Sequence, residues 1–185
     1  HINKSMLGYM GDQKMQFPET LAQDILQRGL DEPAIRDEIY MQVMKQLTHN
    51  PQADSIAKGW QVMSMCVSTF PPSIDAEDYV YNFMPVPCEK RGAVRNYAEY
   101  CLRALEGILD AGATGFVQST EEIAAYKKRP PILATLRLVD DTVLTEDLPV
   151  PPDINAGKLV EICAGFLELT DDRTERFGIF VYDLG

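Results

Sequence analysis

Residues 35–48 run Ile35-Arg36-Asp37-Glu38-Ile39-Tyr40-Met41-Gln42-Val43-Met44-Lys45-Gln46-Leu47-Thr48. Ile35, Ile39, Val43 and Leu47 recur at every fourth position, and Tyr40 and Met44 widen the stripe. A helix has about 3.6 residues per turn, so an interval of four returns a side chain to nearly the same side. The stretch therefore predicts one amphipathic helix. Asp31-Glu32-Pro33 ahead of it supplies the negative charge and the early proline suited to a helix start. Asn50-Pro51 behind it stops the helix near Thr48.

The same period continues on both sides. A second helix is predicted over 54–70, with Ile56, Trp60, Met63, Cys66 and Val67 inward and Pro71-Pro72 as its stop. Asp75 is the expected N-cap of a third, short helix carrying Tyr79, Val80 and Phe83. A fourth, over 93–110, places Val94, Tyr97, Cys101, Leu105 and Ile108 at helical spacing and closes at the Gly112 to Gly115 stretch. Shorter helices are expected over 18–28 and 121–126. Helices joined this closely make a compact bundle.

The pattern changes at Lys127-Lys128-Arg129-Pro130-Pro131. Ile132, Ala134, Leu136 and Leu138 then alternate with Leu133, Thr135 and Arg137, the period of a strand. Asp140-Asp141 reads as a turn and 143–150 as the second strand of a hairpin. A helix over 155–169, with Leu159, Ile162, Cys163 and Phe166 on one side, and a third strand over 177–182 complete a β-β-α-β order. The expected fold class is thus mainly α, a helical bundle over 1–128 followed by a partial α+β lobe over 129–185. A short junction stiffened by two prolines predicts that the two parts form one rigid unit.

Composition narrows the function. The 185 residues carry 17 basic and 28 acidic side chains, a formal net charge of −11, which disfavours binding to nucleic acid through its phosphates. No apolar run approaches the length of a membrane-spanning helix. Cys66, Cys88, Cys101 and Cys163 stand singly, so reduced thiols inside a cell are expected rather than a disulfide scaffold. With only His1 and His49 present, a zinc site or a histidine-based catalytic device has little to draw on. Gly112-Ala113-Thr114-Gly115 lacks the Lys-Ser/Thr of a phosphate loop and reads as a helix terminator. Arg36-Asp37-Glu38 reads as an ion-pair array, and Asp140-Asp141 and Asp171-Asp172 as solvated turns rather than calcium loops. No enzyme, metal or cofactor is expected. Against the acidic background two basic groups stand out: Lys90, Arg91 and Arg95 near the start of the fourth helix, and Lys127, Lys128 and Arg129 at the junction. Either is a candidate surface for an acidic partner.

Four blocks decide the family reading. Tyr9-Met10-Gly11-Asp12, the 35–48 stretch, Gly59-Trp60-Gln61-Val62-Met63 and Phe70-Pro71-Pro72-Ser73, in that order and spacing, resemble the myosin tail homology 4 domain. Tyr100-Cys101-Leu102-Arg103-Ala104-Leu105 fits that family's long helix. The resemblance implies a helical bundle running into a FERM domain whose first lobe is ubiquitin-like, and residues 130–185 look like the start of such a lobe. It also implies a fragment: further helices would precede the Tyr9 block, and the rest of FERM would follow Gly185. Two kinds of motor carry this pair of domains, unconventional myosins and a plant-type calmodulin-binding kinesin. Lys45 to Thr48 and Gly59-Trp60 look more like the myosin versions. Arg36-Asp37-Glu38 and Glu121-Glu122-Ile123 look equally like the kinesin. What the resemblance implies for function is binding in the cytoplasm at the cytoskeleton. Family tails hold protein cargo or adaptor peptides, some bind microtubules through basic residues of the helical domain, and some fold back on their own motor.

Overall fold

The computed structural model describes residues 2–85, 93–128, 130–152, 154–167, 169 and 178–180. Along the chain these form α1 (Ile2–Met10), α2 (Pro18–Asp31), a 3-10 turn (Pro33–Ile35), α3 (Arg36–Leu47), α4 (Ala53–Val67), α5 (Ile74–Phe83), α6 (Ala93–Ala111), α7 (Thr120–Lys128), β1 (Ile132–Arg137), β2 (Val143–Val150) and α8 (Ala156–Phe166). The fold class is the expected one, a helical bundle followed by an α+β lobe.

α4 is the centre of the bundle. It packs against α1, α2, α3, α6 and α7, and Gly59 to Val67 are buried without interruption. The apolar stripe seen in the sequence is therefore only part of its contact surface, because its polar residues are enclosed as well. They are enclosed with partners, which is what makes their burial tolerable. Tyr9 donates its hydroxyl to Gln61 Oε1 at 2.9 Å, and Gln61 Nε2 donates to the carbonyl of Tyr126 at 3.2 Å, so one amide joins α1, α4 and α7. Ser64 donates to the carbonyl of Trp60. Burial pushes the Cys66 thiol up, with neighbouring Cys101 adding to the effect, which leaves a packed thiol rather than a reactive one.

The 35–48 helix forms as predicted, with Ile39, Tyr40, Val43, Met44 and Leu47 buried. Its charged start does not form an ion-pair array; Arg36 and Asp37 reach other parts of the chain, and Glu38 bonds within the helix. Arg36 donates to the carbonyl of Gly29 at 2.6 Å and lies over the Phe70 ring, 5.6 Å from its centroid. Asp37 accepts from the Ser73 backbone N–H at 2.8 Å and from its hydroxyl at 2.6 Å. Glu38 accepts from Gln42 at 2.7 Å. Gly29 meets Phe70 closely enough that a Cβ there would fall 2.2 Å from a ring carbon.

Several boundaries differ from the sequence reading. α1 was not singled out, although Met6, Tyr9 and Met10 sit at its helical spacing and are buried. α2 extends to Asp31 and α7 runs from Thr120 through Lys128, both longer than expected. α4 stops at Val67, not 70. Ser68 and Thr69 bond back to the carbonyls of Ser64 and Met65, the side-chain competition that loosens a helix end. The N-cap of α5 is Ser73 rather than Asp75, and its hydroxyl is spent on Asp37 instead of on the helix. Tyr79 faces solvent rather than the core.

After α7 the chain enters the hairpin, antiparallel with Ile132 opposite Val150 and Ala134 opposite Leu148, followed by irregular register to Arg137 opposite Val143. Asp141, with φ of 66°, makes the turn. Both strands pack on α6, and Arg103 of α6 bonds Asp147 of β2 at 2.6 Å. α8 starts where expected, with Asn155 as its N-cap accepting from the Lys158 N–H, and ends at Phe166 rather than 169. Cys163 is buried as expected, whereas Phe166 is half exposed. Of the third strand predicted over 177–182, residues 178–180 carry no strand, and the others lie outside the described residues. Cys88 and Asp171-Asp172 lie outside them as well.

Candidate functional site

Of the first basic group only Arg95 is among the described residues; Lys90 and Arg91 lie outside them. Arg95 is exposed near the start of α6 and pairs with Glu99 one turn on, at 2.7 Å. Of the second group Arg129 lies outside the described residues. Lys127 and Lys128 form the last turn of α7, where positive charge suits the helix dipole. Lys128 is exposed, while Lys127 donates to Glu19 of α2. α6 and α7 each pack on α4.

The Lys127–Glu19 bond holds the Glu19 carboxyl below its ordinary value of 4.5, the hydrogen bond from Lys127 being the main cause. A carboxyl with a lowered folded value contributes stability that is complete above its unfolded value and lost as pH falls through the folded one. Lys127→Ala is therefore expected to lower stability by less than about 1 kcal/mol at pH 7. In urea titrations the gap between wild type and variant should close as the pH falls below the ordinary carboxyl value of 4.5 and through the lowered folded one; a gap unchanged by acid would contradict it.

A different surface carries more shape. α3 and α5 border an open groove of about 860 Å³. Met41 and Met44 of α3 and Phe83 of α5 give it an apolar floor, and Asp75, Asp78, Tyr79 and Asn82 line one side. Those four stand at i, i+3, i+4 and i+7, one stripe of α5. Ile74 is 83% exposed and Tyr79 68% exposed at its rim. Beneath the floor Phe83 stacks on Trp60, centroids 5.9 Å apart, so the groove rests on the core. The sequence reading missed this surface because it treated Asp75 as a cap and Tyr79 as core. The available signal was that Ile74 and Tyr79 fall off the buried Ala76–Val80 line. Among the described residues no three of His, Cys, Asp and Glu are grouped to hold a metal ion, and no helix is long and apolar enough to cross a membrane.

The model of the MyTH4 domain family matches residues 22–125, more than half of the chain. The chain belongs to the MyTH4 family. This is the myosin tail homology 4 domain that the four blocks resemble, a non-catalytic binding module. Several relatives of the chain are myosins. The high molecular weight form of myosin-1 of Acanthamoeba castellanii is 51% identical over 70 residues, 38% of this chain and 4% of that protein. Myosin-VIIa of Drosophila melanogaster is 34% identical over 121 residues, 65% of this chain and 5% of that protein. The chain thus spans no more than a twentieth of the length of these two myosins. Among solved structures, the human myosin 7b C-terminal MyTH4-FERM domain in complex with the harmonin-a PDZ3 domain has a TM-score of 0.66 at 28% identity. That likeness covers 92% of this chain and 35% of the other, so it reaches past the MyTH4 bundle into the β-hairpin lobe. The Dictyostelium discoideum myosin VII MyTH4-FERM MF1 domain, at 23% identity, shares the fold with a TM-score of 0.66 over 89% of this chain and 34% of its own.

Proposed function

We propose that this chain is a tail module of an unconventional myosin that binds a protein adaptor or cargo at the cytoskeleton. The observation that carries the reading is the likeness to the human myosin 7b module, which spans the bundle and the hairpin lobe together and was solved in complex with another protein's domain, harmonin-a PDZ3. On this reading the parent is an ATP-driven motor, residues 1–128 and 129–185 act as helical and FERM-type units, and contact with the parent's own motor is the same binding activity used internally. The acidic balance of the chain weighs against a grip on acidic tubulin tails. The test is affinity capture on the immobilised chain, followed by calorimetry with the purified captured protein. Direct, saturable binding of an adaptor is the expected result. Microtubule co-sedimentation at low salt that is abolished by reversing Lys90, Arg91 and Arg95 to Glu, with no adaptor bound, would replace the adaptor reading by a microtubule anchor.

A further inference from the structure

We propose that the α3–α5 groove is a docking site for a basic amphipathic helix of a partner protein. The proposal deepens the adaptor-binding reading and rests on it. Three observations converge on one occupant. The groove is open and lies between two helices, α3 and α5, a setting that can accept a helix lying along it with apolar side chains at i, i+3 or i+4. Its floor contains two methionines, Met41 and Met44, whose unbranched side chains adapt to the shape of an inserted residue. Ile74 and Tyr79 stand exposed at its edge. A single exposed apolar residue is ordinary, but two flanking an apolar floor mark a surface meant to be covered.

Charge selects the sign of the partner. α5 carries Asp75, Glu77 and Asp78 and contains no lysine or arginine, and no basic residue lines the groove among the described residues. Asp75 and Asp78 lie on the same stripe as Tyr79. An apolar anchor entering beside Tyr79 would bring flanking lysines or arginines over these carboxylates. Partners with acidic flanks are repelled, so the same residues supply attraction and discrimination.

The test uses the 185-residue chain and a fluorescein-labelled 18-residue peptide of leucine and lysine patterned as an amphipathic helix. Fluorescence anisotropy is expected to show saturable, salt-sensitive binding. Asp75→Asn with Asp78→Asn should weaken it roughly fivefold or more, because two charge pairs at a partly covered surface are lost. Ile74→Ser with Tyr79→Ser should weaken it about tenfold, since an aromatic anchor dominates small interfaces. All four side chains are exposed, so circular dichroism melts should match wild type. Asp141→Asn with Glu161→Gln, which removes the same charge from the lobe, should leave affinity unchanged. Equal losses in both neutralised pairs, or equal affinity for a lysine-only peptide, would overturn the proposal in favour of diffuse charge attraction. Sedimentation showing a dimer of the chain that Ile74→Ser with Tyr79→Ser dissociates would overturn it in favour of a second copy as the occupant. Adaptor capture that survives loss of peptide binding would remove the groove while leaving the adaptor reading in place.

Discussion

Trp60→Ala is expected to lower the stability of the bundle by about 3–5 kcal/mol, a large share of the roughly 5–15 kcal/mol that holds a typical domain folded. Trp60 is 1% exposed in the middle of the central helix. Truncation leaves a void that cannot collapse easily, because neighbours on every side of α4 are themselves packed. Phe83 also loses its stacking partner. The chain has a single tryptophan, so unfolding should be followed by helical circular dichroism in urea. The midpoint should drop with the slope unchanged, and Trp60→Phe should recover a good part of the loss. A midpoint within experimental error of wild type would show that α4 is not packed as described.

The second large effect is expected from adding atoms rather than removing them. At Gly29 a Cβ would lie 2.2 and 2.3 Å from two carbons of the Phe70 ring. That ring has little freedom to retreat. It is fully buried, meets Tyr40 edge-on at 6.0 Å and lies under the Arg36 guanidinium, while Tyr40 holds the Phe70 carbonyl at 2.7 Å. In an exposed helix, glycine to alanine would gain about 1 kcal/mol. Here that gain is opposed by overpacking, and Gly29→Val, which lacks most of the propensity gain, should cost about 3 kcal/mol. A double-mutant cycle identifies the cause: Phe70→Leu should rescue much of the loss in the valine variant while destabilising the wild type. Additive losses would place the strain elsewhere.

The helical part of this architecture was legible because each helix hides apolar residues at a regular interval, and prolines or glycines mark most of the ends. The 35–48 stretch is read correctly on that ground alone. α4 shows where periodicity falls short. A helix surrounded on all sides has no polar face to mark its period, so Gln61 and Ser64 look like surface residues until their partners are seen. The start of α5 was misplaced because Asp75 and Ser73 are both good caps by residue type. Which one sits at the boundary is decided by Asp37, a residue 36 positions away from Ser73. The groove between α3 and α5 was illegible for the same reason. It exists only once two helices separated in sequence are laid side by side. The basic residues were easy to pick out by scarcity, but scarcity says nothing of what each one touches, as the Lys127–Glu19 bond illustrates.

The position of α4 also governs how the bundle comes apart. Because five helices lean on it, none of them can melt away without uncovering it, and uncovering it removes the support of the other four. Amide protons of α4 should therefore exchange with deuterium only through global opening, at the slowest rate in the molecule, whereas those of the β1–β2 hairpin, attached along α6, can exchange by local opening. If the chain serves as the proposed tail module, a bundle built this way is expected to resist tension without gradual peeling and to give way in a single step under a pulling force.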